Sequence, residues 1–293
     1  MDFLYWLQQL RNPVLDFIFE NISLLVNQGL LIAIVCYTYW CYDKKIAQKV
    51  FLSFCASGIV VQTLKIFCRI PRPWILDSRI QPKPEMMETA TGYSFPSGHT
   101  QTATSACYSM LDVFKNKIIT TILFIFPILM MLSRMYVGVH SPLDVTVSFI
   151  ISALIVYGIH KILKQDYESN LYKLCFILCI ASIISFLYAF YVTTTQGNYE
   201  LIADCVKNAG AALGFGLGAI LESKTINFAI IKRTTKNTIL LLVVGLLGAL
   251  VFKSGLKLVL PDGIIFDFIR YFLTIFWIMY LYPLLFSKKK NTK

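Results

Sequence analysis

Lys65 with Arg72-Pro73, then Ser97-Gly98-His99, then Ser133-Arg134 with His140 and Asp144 form three short polar clusters in an otherwise apolar chain. Each places cationic or hydrogen-bonding groups where apolar sequence meets loop. Between them they hold the parts needed to bind a phosphate and pass it to a histidine. Charged groups at membrane depth are costly and usually mark a functional site.

The spacing within each cluster has chemical content. Lys65 precedes Arg72 by two helical turns, so the cations converge if that helix runs on to Pro71. Prolines on both sides restrict Arg72, whose planar fork suits phosphate oxygens, and lysine adds a point charge. For this pair alone, snorkelling to the interface would suffice. Pro96-Ser97-Gly98-His99 reads as the start of a helix: Gly98 allows close backbone approach, the free amides of the first turn with the Ser97 hydroxyl form an anion site, and His99 projects from the same turn. A plain capped helix start is the bland alternative. Asp144 follows His140 by four residues, so the two can meet on one helix face. A carboxylate bonded to one ring nitrogen would fix the tautomer and leave the other lone pair as a nucleophile. Taken separately, that pair could equally be a helix cap beside an incidental histidine. The chain has only 3 histidines, and two of them fall in these clusters; His160, beside Lys161, reads as interfacial.

The elements that must position these groups are membrane helices. Of 293 residues, 57% are hydrophobic and 15% charged, with a mean hydropathy of +0.65. A soluble domain carries about 25% charged residues. Apolar stretches of spanning length are predicted at 22–43, 48–67, 97–114, 117–136, 142–163, 172–194, 203–222, 238–260 and 265–286. The expected fold is an all-α polytopic transmembrane bundle of about nine spans. Residues 1–21 read as an interfacial segment with an apolar stripe of Leu4, Trp6, Leu7 and Leu10, residues 22–200 as the catalytic core, and 201–293 as a C-terminal extension of about three helices.

The net charge of +11 does not point to nucleic acid, because many basic residues lie in short loops between spans. Threading nine spans puts Lys44, Lys45, Lys49, Lys115, Lys117, Lys161, Lys164 and Lys173 on one side. Lys224, Lys232, Arg233, Lys236 and the tail lysines Lys288, Lys289, Lys290 and Lys293 join them, more than half of the 27 basic residues. That side is expected to be cytoplasmic, with the C-terminus on it and all three clusters facing outward. Abundant Ile, Lys and Phe point to a bacterial plasma membrane. The polar loop 74–95 could cover the site mouth or merely connect. The 8 cysteines show no metal-ligand spacing, and no cleavable signal peptide is visible. Gly210, Gly214 and Gly218 have the spacing of close helix packing, and Asp204, Lys207, Glu222, Lys253 and Lys257 read as snorkelling residues near span ends.

Lys65-x6-Arg72-Pro73, Pro96-Ser97-Gly98-His99 and Ser133-Arg134-x5-His140-x3-Asp144 resemble, in order and with no member missing, the three motifs of the type 2 phosphatidic acid phosphatase superfamily. The resemblance covers Lys65 to Asp144 and says little about the last three spans. It implies that His140 attacks phosphorus while Asp144 orients it. His99 would protonate the departing oxygen and then activate water. Lys65, Arg72, Arg134, Ser97 and the Gly98 amide would hold the phosphoryl oxygens. It implies a lipid phosphate or pyrophosphate as substrate, the bilayer as partner, and no metal or other cofactor, since three cations neutralise the charge. Two rivals stand beside it: a phosphotransferase of the same superfamily using a lipid or sugar hydroxyl, and a transporter or lipid-binding protein with a phosphate vestibule.

Overall fold

The structure, a computed structural model, describes residues 1–26, 28–231 and 233–287. Lys232, Lys288, Lys289, Lys290 and Lys293, which carry part of the orientation argument, lie outside the described residues. Side-chain oxygens that satisfy the free amides of a first turn decide where most long helices begin. After α1 (Asp2–Gln9), Asn12 with Pro13 opens α2 (Pro13–Leu24). After α3 (Gln28–Tyr37) and a π-helical turn (Thr38–Tyr42), Asp43 opens α4 (Lys44–Cys68). Two single-turn helices, α5 (Pro73–Leu76) and α6 (Pro84–Met87), precede α7 (Gly98–Tyr108), which Ser97 caps. Asn116 opens α8 (Lys117–Tyr136), and a Ser141/Asp144 capping box with Pro142 opens α9 (Pro142–Leu163). Asp166 caps α10 (Tyr167–Gln196), and α11 (Ala203–Leu221) follows without a side-chain cap. Thr234 caps α12 (Thr235–Leu250), and α13 (Leu256–Val259), α14 (Ile264–Phe276) and α15 (Tyr282–Phe286) complete the chain.

Every regular element among the described residues is helical. Among the described residues six segments are long and apolar enough to cross a membrane: Lys44–Leu76, Lys117–Tyr136, Pro142–Leu163, Tyr167–Thr195, Thr235–Val259 and Ile264–Phe286. The other three expected spans differ. Residues 22–43 contain only a shorter apolar helix, Leu31–Tyr42. Within 97–114 the α-helix has 11 residues, about 16 Å of rise, and is largely polar. In 203–222 the helix has 19 residues but carries Asp204, Lys207 and Asn208. The physical reason is burial: α7 and α11 face protein along most of their length, so their side chains answer to neighbouring helices rather than to hydrocarbon.

α11 runs through the middle of the bundle, against α14, α10 and α4. A Cβ at Gly210 or Gly214 would strike the carbonyl oxygens of Phe268 and Phe272, and one at Gly218 the Met279 side chain. Gly216 meets α10 at Cys175 and Cys179 in the same way. Small residues on two faces therefore let both neighbours approach at backbone distance. The outer helices turn apolar side chains outward, among them Ile122, Leu154, Ile184 and Leu247, which forms a belt suited to lipid.

The N-terminal helices dock onto the bundle. Leu4 is buried against Ile80, Met135 and Val145, while Trp6 is exposed, so the expected interfacial stripe divides between protein and surroundings. Arg11 donates to the carbonyls of Tyr136 and Gln81. α2 continues to Leu24, past the boundary expected at residue 21.

Candidate active site

The last turn of α4 brings Lys65 to one end of the bundle, almost fully buried. The helix stops at Cys68, with Arg69 in the left-handed region at φ 54°, so it does not run on to Pro71 as helical convergence would require. A loop swings Arg72 back instead. Its Nε donates to the Gly92 carbonyl at 3.0 Å, Nη2 to the Thr91 carbonyl and Nη1 to the Val139 carbonyl at 3.1 Å. Nη1 also lies 3.2 Å from His140 Nε2. Carbonyls from two separate loops thus aim one guanidinium at one imidazole.

His140 sits in the turn joining α8 to α9. The amides of Val139 and His140 both donate to the Arg134 carbonyl, at 3.2 and 3.3 Å, which folds the turn back over the end of α8. Gly138 makes that fold at φ +82°, where a Cβ would press on Arg11 Nη2 and the Gln81 carbonyl. Only glycine takes this conformation without strain. Burial first, then the Arg72, Arg134 and Lys65 cations, push the His140 pKa well below the ordinary imidazole value.

Five of the eight expected site residues line one cavity of about 270 Å³: Lys65, Arg72, Gly98, His99 and His140. The Lys65 ammonium and the His99 ring make no hydrogen bond to protein among the described residues, so both are free for a ligand. The other three stand behind this wall. The Ser97 hydroxyl accepts from the Thr100 hydroxyl at 3.1 Å, and its own carbonyl accepts from Ser148. Arg134 is fully buried, donating to Ser23 at 3.2 Å and more weakly to Thr89 at 3.5 Å. Asp144 Oδ2 accepts from Ser94 Oγ at 2.6 Å and the Ser141 amide at 2.7 Å, and lies 3.5 Å from His140 Nδ1. That last separation exceeds a good hydrogen bond, and Nδ1 has no hydrogen-bond partner among the described residues. Asp144 therefore caps α9 and faces the ring as a charge.

The loop at 74–95 does more than connect. It supplies Thr91 and Gly92 to Arg72, Thr89 to Arg134 and Ser94 to Asp144. These residues carry no distinguishing mark in sequence, because their carbonyls and hydroxyls act only once the loop is folded. Ser23 of α2 belongs to the same unread group. Asp204 and Lys207 do not simply snorkel: with Asn208 they form part of the cavity wall. Glu222 is fully buried and paired with Lys44 at 2.7 Å. Among the described residues no group of three or more His, Cys, Asp and Glu side chains could hold a metal ion.

An all-helical bundle with membrane-length apolar helices, holding cations and two histidines around one cavity, defines an integral membrane enzyme built for phosphate chemistry. The sequence matches the PAP2 superfamily over residues 47–168 and the PAP2 superfamily phosphatase transmembrane extension over residues 206–292. The chain belongs to the PAP2 superfamily and is a membrane phosphatase of it. It is 23% identical over 273 residues to sphingosine-1-phosphate phosphatase 2 of Mus musculus, covering 85% of this chain and 72% of that one. It is 38% identical over 88 residues to phosphatidylglycerophosphatase B of Haemophilus influenzae, covering 27% of this chain and 36% of the relative. Among solved structures, that of Aquifex aeolicus LpxE aligns with a TM-score of 0.48 at 27% identity, over 55% of this chain and 93% of that one.

Proposed function

We propose that the chain hydrolyses the phosphate monoester or pyrophosphate of an amphiphile through a phosphohistidine formed on His140, on the outward face of the membrane. The observation that carries this is the approach of Arg72 to His140 Nε2 at 3.2 Å, inside a cavity that also holds Lys65 and His99 and continues between apolar side chains. A phosphoryl group entering there would take its oxygens to Arg72, Lys65 and the Gly98 amide, with Arg134 as a buried positive charge behind them. His140 Nε2 attacks phosphorus as the bond to the leaving oxygen breaks, and His99 gives that oxygen its proton. Water then attacks phosphorus as the phosphorus–nitrogen bond breaks and its electron pair returns to His140, His99 takes the water proton, and inorganic phosphate leaves.

The apolar stretch of the cavity, lined by Val50, Phe51 and Phe54 below Lys65, suits a substrate whose tail stays at membrane depth. Two relatives named for lipid phosphate monoesters support the same substrate class. The basic loops support a path with the C-terminus cytoplasmic and with Lys65, His99 and His140 together on the outer surface.

The test is phosphate release by purified protein from a panel of lipid phosphates, with EDTA present and no acceptor alcohol. Release that persists under both conditions and vanishes in His140→Ala supports the reading. Release only when an acceptor is added would make the protein a phosphotransferase. Loss on chelation would overturn the cation-only site.

A further inference from the structure

The cavity wall contains two buried amide atoms that the chemistry above does not use. Gln62 Oε1 and Asn208 Nδ2 are both shielded from solvent and neither has a hydrogen-bond partner among the described residues. Both residues line the same cavity as His140 and Lys65. The third side-chain amide of this cavity wall is paired. Gln101, on the same wall, spends its amide on the Phe54 carbonyl and the hydroxyls of Ser57 and Ser105. Leaving a buried donor and acceptor unmade is unfavourable, so such groups normally answer to a ligand or to water.

Their position along the cavity gives the ligand group its place. Gln62 lies three residues before Lys65 on α4, about 4.5 Å deeper along the helix axis. Asn208 enters from α11, where its amide packs against Gly58, one turn deeper again: a Cβ at Gly58 would stand 2.6 Å from Asn208 Oδ1. Phe54, Phe51 and Val50 line the cavity below them. From the outer end inward the order is phosphate-binding cations, one acceptor and one donor, then hydrocarbon. A hydroxyl both donates and accepts, and is the simplest group that satisfies both amides at once.

We propose that Gln62 and Asn208 read a hydroxyl on the lipid within the first few carbons of the phosphate ester. The C-terminal extension thereby takes part in substrate selection, since Asn208 belongs to it. The inference rests on the lipid phosphatase reading and narrows its substrate to hydroxylated lipid phosphates. A site built to bond a hydroxyl discriminates strongly against the analogue that lacks it, because its own polar groups are then stranded.

The experiment compares kcat/KM for a long-chain alkylglycerol phosphate and for its deoxy analogue lacking only the secondary hydroxyl, in the same detergent micelles. The full-length protein is expected to prefer the hydroxylated lipid by about tenfold or more. Asn208→Leu and Gln62→Met should each bring that ratio towards one, chiefly by raising KM for the hydroxylated lipid. Gly58→Ala should do the same by pushing the Asn208 amide aside while leaving both amides in the sequence. Because the readout is a ratio, a general loss of activity in one variant does not imitate the effect, and the remaining variants decide. A native ratio near one, or a preference that survives all three substitutions, overturns this inference alone and leaves the lipid phosphatase reading standing. Release from neither lipid overturns both.

Discussion

Arg72 Nη1 stands 3.2 Å from His140 Nε2, and a guanidinium can only donate. The imidazole must therefore accept at Nε2, which puts its proton on Nδ1, the nitrogen that faces Asp144 Oδ2 at 3.5 Å. The tautomer needed for attack through Nε2 is thus set from the nucleophilic side as well as from the carboxylate side. A phosphoryl oxygen arriving in the cavity would take over the Arg72 donor, leaving the Nε2 lone pair free to face phosphorus.

Substituting Arg72 tests this arrangement. Lysine keeps the charge but cannot reach the Thr91, Gly92 and Val139 carbonyls and the imidazole together. Arg72→Lys is expected to lower kcat/KM by about 100-fold or more, a loss on the order of one preorganised charge-stabilising donor. Activity within a few-fold of the native protein would show that charge alone suffices.

Acid quench during turnover should trap phosphate on a histidine. With an aryl phosphate, whose leaving group needs no proton, His99→Asn should still form the adduct and release it slowly, so label accumulates. His140→Ala should accumulate none. Equal labelling of the two variants would remove His140 as the nucleophile.

The pH profile follows from opposite demands on the two rings. As the proposed nucleophile His140 would attack only when neutral, and burial with the nearby cations holds its pKa well below the usual value of about 6.5, so its protonation should limit kcat/KM only on the acid side of that value. His99 must carry a proton to act as the acid, so rates should also fall towards alkaline pH. A profile of kcat/KM that stays flat from about pH 5 to 9 would contradict the two-histidine scheme.

Ser23 links the N-terminal helices to the site. Its hydroxyl accepts from Arg134 Nη1 at 3.2 Å and shares a 2.7 Å hydrogen bond with Ser133. Ser23→Ala strands a buried guanidinium donor, at a cost of about 1–3 kcal/mol. The expected result is a lower melting temperature together with a several-fold rise in KM. An unchanged KM would separate Arg134 from phosphate binding.

Asp16 supports the same dock through Lys83 and the Tyr136 hydroxyl, at 2.5 and 2.7 Å. Burial alone would raise its pKa, but hydrogen bonds from Lys83 and Tyr136 with the nearby cations hold it below the ordinary value. A depressed carboxyl pKa contributes stability above the unfolded value near 3.9, and that stability is lost as pH falls through the folded value. Asp16→Asn should therefore melt earlier than the native protein at pH 7. The two curves should converge once the pH falls below about 4, and a gap that persists in acid would assign the effect to packing.

Sequence alone determined the class of the molecule and singled out the groups proposed to react. Apolar runs of spanning length demand helices with satisfied backbones, and residues as costly in lipid as Lys65, Arg72 and Arg134 stand out there. The glycine spacing at Gly210, Gly214 and Gly218 likewise announced a helix contact before the partner, α14, was known. What tertiary structure decided was which groups face the ligand and which stand behind them. Ser97, Arg134 and Asp144 look equivalent to their motif neighbours in sequence, yet folding turns them into cap and support, because hydrogen bonds from Thr100 and Ser94, and one donated to Ser23, engage their polar atoms. The enclosure of α7 and α11 was equally out of reach of a linear reading. A helix sheathed by others can carry Gln101 or Asp204 at little cost, and hydropathy along the chain cannot tell a neighbouring helix from the bilayer.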